Sequence, residues 1–200
     1  MKKTLIPIVV IIAILGVLYF LSAGKYNTAI TLQEDAKTAW SNVESAYQRR
    51  SDLIGNLVKT VQGAADFERN TLKEVVEARA KATSMSIDPS NITADQIAQF
   101  QQVQSGLSSA LSRLLVTVER YPDLKANQNF LNLQTQLEGT ENRINVERNR
   151  YNEAVGIFNK HLRVFPNNII LGLMGSFEEM ARFKADEGAE KAPDVDFEFK

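Results

Sequence analysis

Two hundred residues, 44% hydrophobic and 24% charged, suffice for one domain with a core that folds without metals or cross-links. Cysteine is absent, which excludes disulfides, thiolate metal sites, a cysteine nucleophile and a lipid-modified cysteine anchor; His161 is the single histidine. Lys and Arg number 23 against 24 Asp and Glu, a net charge of −1, so no overall basic field exists to hold nucleic acid.

The first element is the uncharged run from Leu5 to Leu21, preceded by Lys2 and Lys3 and followed by Ser22, Ala23, Gly24 and Lys25. At the helical rise it reaches roughly 26 Å, enough to span a bilayer core with little tilt. Residues 1–24 are therefore expected to be a transmembrane anchor. A cleaved signal peptide fits less well, because the run exceeds a usual apolar region and a cut after Ala23 would place Leu21 where a small residue is needed. Lys2, Lys3 and the terminal amine, set against Lys25 and Lys37, favour a cytoplasmic N-terminus and an extracytoplasmic helical domain.

Beyond the anchor, apolar residues recur at helical spacing. One stripe runs Ala36, Trp40, Val43, Tyr47, Arg50, Ile54, Leu57, Val61, Ala64 and, after a slip at Glu68, Leu72, Val75 and Arg79. It predicts one long helix from about Tyr26 to Lys81. Pro89 and its polar neighbours break it, and Thr93 with Gln96 three positions on predicts a capping box for the next helix. The second stripe is Ile97, Phe100, Gln104, Leu107, Leu111, Leu114, Val118 and Tyr121, halted by Pro122. The third is Leu131, Gln134, Leu137, Glu141, Ile144, Arg148, Tyr151, Val155, Phe158, Leu162 and Phe165, halted by Pro166; Asn residues at 127 and 129 suit its start. A shorter apolar segment, Asn167 to Phe183, reads as a fourth helix packed on the core or a partner, with an interfacial position on the membrane as its rival. Between Ala185 and Lys200 six acidic residues outnumber two lysines, the pattern of a mobile, solvated tail. The expected fold is all-α: a single N-terminal transmembrane helix (1–24), then a long antiparallel bundle of three long helices and a shorter apolar one (25–184), then the tail (185–200).

The stripes place Arg50, Glu68, Arg79, Gln104, Gln134, Glu141 and Arg148 inside the bundle. Such charges must be paired or must reach an edge. The structural account makes Arg50, Glu68, Arg79, Glu141 and Arg148 a buried polar network that sets helix register; the functional one makes them a ligand site. No paired carboxylate and histidine motif recurs on facing helices, so neither a metal nor a cofactor is expected. By the helical rise the three helices are roughly 80, 40 and 60 Å long. The shorter second helix would leave Trp40, Val43 and Tyr47 without a full set of neighbours. That stripe is a candidate interaction surface, to be covered by a second copy, another membrane protein or the Asn167 to Phe183 segment folding back.

Other residues read as structural. His161 suits a partner of a helix C-terminus, and Arg49 and Arg50 stand roughly 40 Å of helix beyond the anchor, out of reach of lipid phosphates. The sequon at Asn91, Ile92 and Thr93 reads as accidental.

Together the residues resemble a known family. Ala39-Trp40-Ser41, the run Arg49 to Val58, Glu77-Ala78-Arg79, Tyr121 to Phe130, Leu133-Gln134, Glu138 to Asn142, Arg148, Tyr151-Asn152, Asn159 and Phe165-Pro166 look like the LemA family of bacterial membrane proteins, over nearly the whole chain except the tail. The resemblance implies one N-terminal transmembrane helix followed by an all-helical domain. Members often carry Pro where this chain has Gly55. The family has been described with its short N-terminus outside the cell, opposite to the charge argument above. Its genes often lie beside those of membrane metalloproteases, and a relative takes part in building magnetosome membranes, which implies a membrane-organising role. The same name on an unrelated sensor kinase does not apply, because this chain lacks every kinase signature. The expected function is a non-enzymatic, membrane-anchored helical scaffold that self-associates or recruits membrane partners, such as a membrane metalloprotease. The alternative is a sensor or ligand-binding protein using the polar residues inside the bundle.

Overall fold

A computed structural model describes residues 2–63, 67–90, 92–175 and 177–184; at 2–7, 9, 14, 15, 18 and 21 only the helical backbone is described. The acidic segment 185–200 lies outside the described residues, as does Asn91. All regular structure among them is helical: α1 (Lys2–Gln62), α2 (Arg69–Ser84), α3 (Ala94–Val118), the single turn α4 (Pro122–Lys125), α5 (Gln128–Arg163) and α6 (Asn167–Met174).

The sequence stripes account for most of this order, with two corrections. The predicted helix from Tyr26 to Lys81 is two helices. α1 stops at Gln62, Gly63 turns, and Phe67 is buried ahead of α2. The slip of the stripe at Glu68 is therefore a chain reversal, and Glu68 is the residue that precedes α2. α2 folds back along α1, bringing the Arg79 guanidinium across Ser51 and Gly55. Gly55 permits that approach, since a Cβ there would lie 3.2 Å from the Arg79 guanidinium. The second correction concerns Asn167 to Phe183. Its helix ends at Gly175, whose φ of 64° terminates α6 in the left-handed conformation that glycine adopts without steric cost. The chain then continues without regular structure from Phe177 to Lys184 as a strap.

Other local signals hold as read. Thr93 and Gln96 form the reciprocal capping box at the start of α3, and the Asn127 side chain accepts from the backbone of Asn129 and Phe130 at the start of α5. α3 runs antiparallel to α2, with Arg113 paired to Glu74 and Arg120 to Glu68, and α5 runs antiparallel to α1.

The core has two apolar clusters. One joins Leu53, Ile54, Leu57 and Val61 of α1 to Leu72 and Val75 of α2, Leu107 and Leu114 of α3, Leu124, and Phe130 and Leu137 of α5. The other joins Ala36, Trp40, Val43 and Tyr47 to Ile97, Phe100, Ile144, Tyr151, Val155, Phe158 and the strap residues Met180 and Phe183. In α5 the buried register is Leu137, Thr140, Ile144, Glu147, Tyr151, so Thr140 and Glu147 take the interior positions expected for Glu141 and Arg148. Leu131 and Phe165, at the ends of the predicted stripe, are exposed.

Among the described residues no helix is long and apolar enough to cross a membrane, so they do not support the transmembrane anchor expected at 1–24. Of the run Leu5 to Leu21 the described side chains, including Ile8, Val10, Ile11, Ile12, Val17, Tyr19 and Phe20, are exposed.

Candidate functional site

Between the two apolar clusters lies a polar layer. Arg50 falls between Tyr47 and Leu53, Gln104 between Phe100 and Leu107, and Glu141 between Leu137 and Ile144, so α1, α3 and α5 contribute to it at one level. Arg50 is 4% exposed, yet most of its donors are met. Nη1 donates to Ser108 Oγ at 3.1 Å and Glu141 Oε2 at 2.9 Å; Nη2 donates to Gln104 Oε1 at 2.6 Å and, more weakly, to the Gln104 carbonyl at 3.4 Å. The Tyr47 ring centroid lies 4.9 Å from its Cζ, a cation–π contact. The Glu141 side chain is half exposed and carries the pair to the surface, which spares the carboxylate most of the cost of burial.

Beside this layer an open groove of about 1020 Å³ runs along the outer side of α1, lined in part by Gln48, Arg49, Ser51, Asp52, Gln104 and Arg143. Asp52 accepts from Gln48 at 3.0 Å and lies 3.8 Å from Arg79. Glu44, also on the groove, is half-buried, and loss of solvent raises its pKa above the ordinary carboxylate value. None of these groups pairs a nucleophile with a base, and no group of acidic or imidazole side chains among the described residues could hold a metal ion.

A second constellation was not foreseen. The strap is clasped by side-chain amides two helical turns apart on α5. Asn152 accepts from the Phe183 N–H at 2.8 Å and donates to its carbonyl at 3.0 Å; Asn159 does the same for Met180 at 3.0 and 2.8 Å. Tyr151 donates to the Ala181 carbonyl at 2.8 Å, and burial pushes its phenol far above the ordinary value, so it remains a donor in alkaline solution. Asn152 and Asn159 stood among the residues of the family resemblance; no periodicity marked them, because a clasp depends on the segment it holds.

The candidate residues therefore separate. Trp40 and Val43 are fully buried and Tyr47 nearly so. The rings of Phe100, Tyr151 and Phe183 lie 5.5, 5.3 and 5.7 Å from Trp40. The stripe proposed as an interaction surface is thus filled by the chain's own α3, α5 and strap. Of the five charges assigned to one interior network, Arg50 alone is buried, with Glu141 as its half-exposed partner. Glu68 pairs with Arg120 at 3.0 Å on the surface, Arg79 donates to the Ser51 carbonyl at 2.7 Å, and Arg148 donates to the Lys184 carbonyl at 3.2 Å and sits over the Phe183 ring. Glu147 is the buried carboxylate that the stripes missed, accepting from Arg150 at 3.0 Å. His161, in the last turn of α5, donates from Nε2 to the Lys25 carbonyl at 3.1 Å and accepts at Nδ1 from Asn167 at 3.2 Å, which one neutral tautomer satisfies.

The family model of the LemA family matches residues 39–197. Magnetosome proteins MamQ 1 and MamQ 2 of Paramagnetospirillum magneticum are each 27% identical over 184 residues, covering 82% of this chain and 68% of theirs. Protein LemA of Metamycoplasma hominis is 25% identical over 173 residues, covering 86% of this chain and 75% of its own. No enzymatic activity appears in these names. With a match that takes in the polar layer, the clasp and most of the bundle, the chain belongs to the LemA family.

Proposed function

We propose that this chain is a non-enzymatic scaffold, anchored in the membrane by residues 1–24 and presenting residues 25–184 as a helical rod that self-associates or recruits membrane partners, a membrane metalloprotease among them. The observation that carries the reading is the continuity of α1. One helix runs from Lys2 to Gln62, so the uncharged run and the residues that build both core clusters belong to a single rod of roughly 90 Å. A bundle built this way is held at a defined height above the bilayer, which suits a spacer or docking platform. The magnetosome proteins among the relatives favour a role in membrane organisation.

Because Trp40, Val43 and Tyr47 are occupied from within, partners must use outer surfaces, and the open groove beside Arg49 and Asp52 is one. The alternative of an interior ligand site has less support, since Arg50 already spends its terminal donors on Gln104, Ser108 and Glu141. Alkaline carbonate extraction of membranes carrying the full chain tests the anchor: the protein is expected in the pellet, and release into the supernatant sinks the reading. Sedimentation of the detergent-solubilised chain tests self-association, and a strict monomer removes that arm. Protease protection of a C-terminal tag in sealed cells decides which side holds the bundle.

A further inference from the structure

We propose that α6 and the turn before it are an interfacial foot, lying in the headgroup layer of the bilayer beside the point where α1 leaves it. This rests on the anchor reading given above and adds a second membrane contact to it.

The placement follows from two contacts. His161 at the end of α5 meets the carbonyl of Lys25 at 3.1 Å, and the Phe177 ring just after α6 lies 5.3 Å from that of Tyr26. Residue 25 is one helical turn, roughly 6 Å, from Leu21, where the uncharged run ends. α6 is thus held against α1 at the bilayer end of the bundle.

Only one side of α6 is used there. Asn167 and Leu171 are buried, 3% and 4% exposed, while Leu173 is 85%, Ile169 54% and Met174 45% exposed, and Phe165 in the preceding turn is 79% exposed. Elsewhere on the bundle exposed apolar residues such as Val76, Val116 and Val146 stand on separate helices, as singles do on ordinary surfaces. Exposed apolar side chains also line the N-terminal run of the helix that α6 packs against, Tyr19 and Phe20 among those described.

Charge selects the occupant. No Asp or Glu occurs from Met1 to Gln33 or from Ala154 to Phe177, the two stretches that meet at this end, whereas Lys25 and Lys160 stand at its margin. Glu179, just past this stretch, is held in an ion pair by Arg163; apolar side chains bordered by lysines, with that carboxylate already paired, suit the boundary between acyl chains and phosphates, where amphipathic helices sit about 5–10 Å deep. A short helix with a glycine inside it, another at its end and an apolar outer face has little else to hold it in water.

The absence of cysteine makes the test direct. Single variants Leu173→Cys, Val10→Cys and Val116→Cys of the full chain, nitroxide-labelled in phosphatidylcholine and phosphatidylglycerol vesicles, are compared for collision with oxygen and with a water-soluble nickel chelate. The label at 173 is expected to favour oxygen several-fold over the label at 116, and less strongly than the label at 10. If position 173 matches 116 while position 10 lies in the bilayer, the foot is refuted and the anchor stands. If position 173 is shielded from both reagents, protein covers the patch and the proposal is refuted. If position 10 itself behaves like 116, the anchor reading fails and the foot falls with it. All three positions are exposed on the chain, so the labels leave the bundle's packing intact.

Discussion

At Arg50 a charged side chain is kept inside a bundle because the two facing helices, α3 and α5, supply its acceptors. The fork geometry of the guanidinium is what lets one residue reach Gln104, Ser108 and Glu141 together. Arg50→Ala is therefore expected to lower unfolding stability by about 3 kcal/mol, since it strands the acceptors and opens a gap. Arg50→Lys should still cost roughly 1–2 kcal/mol, because a lysine keeps the charge and loses the fork. Glu141→Gln, half exposed and still an acceptor, should cost under about 1 kcal/mol. Urea unfolding of the three variants gives the order, and a Glu141 effect equal to that of Arg50 would refute the layer's ranking. Glu44 carries a pH prediction. Its folded pKa is raised by burial, so the carboxylate penalises the folded state above that pKa and the penalty fades as the pH falls through it. Glu44→Gln should raise the melting temperature at neutral pH and leave it unchanged in acid where Glu44 is protonated.

At the level of elements, two glycines three residues apart in the α6 region have opposite roles. Gly172 sits in the helix with open space around its missing Cβ; Gly175 ends it at a φ of 64°. Gly172→Ala is expected to stabilise by up to about 1 kcal/mol, and Gly175→Ala to destabilise by about the same. Thermal melts of the pair check the sign. The strap that follows Gly175 is held by Asn152 and Asn159, each pairing with both the N–H and the carbonyl of one strap residue. A helix and an irregular segment cannot share a backbone ladder, and side-chain amides take its place. This element was legible only as an apolar segment after Pro166, because its end at Gly175 leaves a sequence signal while its path does not.

Over the whole molecule, the reversal between α1 and α2 replaces a single over-long helix by a hairpin and removes the mismatch of lengths that pointed to a second copy. Trp40 then becomes the centre of an aromatic cluster drawn from α1, α3, α5 and the strap. Trp40→Ala is expected to cost about 3–5 kcal/mol of stability in the isolated chain. If it instead altered only the assembly size while the melt stayed unchanged, the cluster would have to be an interface between chains. Near-UV circular dichroism and sedimentation on the same sample separate the two outcomes.

The helical content, the cap at Thr93, the start of α5 at Asn127 and the membership of Arg50 in the interior were legible in the order of the amino acids, because these depend on residues within a turn or two of one another. The tertiary structure alone decided which edge of α5 faces inward. Adjacent residues of a helix stand roughly 100° apart, so a rotation by a fraction of a turn puts Thr140 and Glu147 inside in place of Glu141 and Arg148. It also decided what covers Trp40, since Phe183 is far from Trp40 in sequence and arrives only after the chain has reversed between α1 and α2 and folded back along α5. Apolar spacing records how strongly a face prefers to be buried; the partner that buries it is set by the path of the rest of the chain.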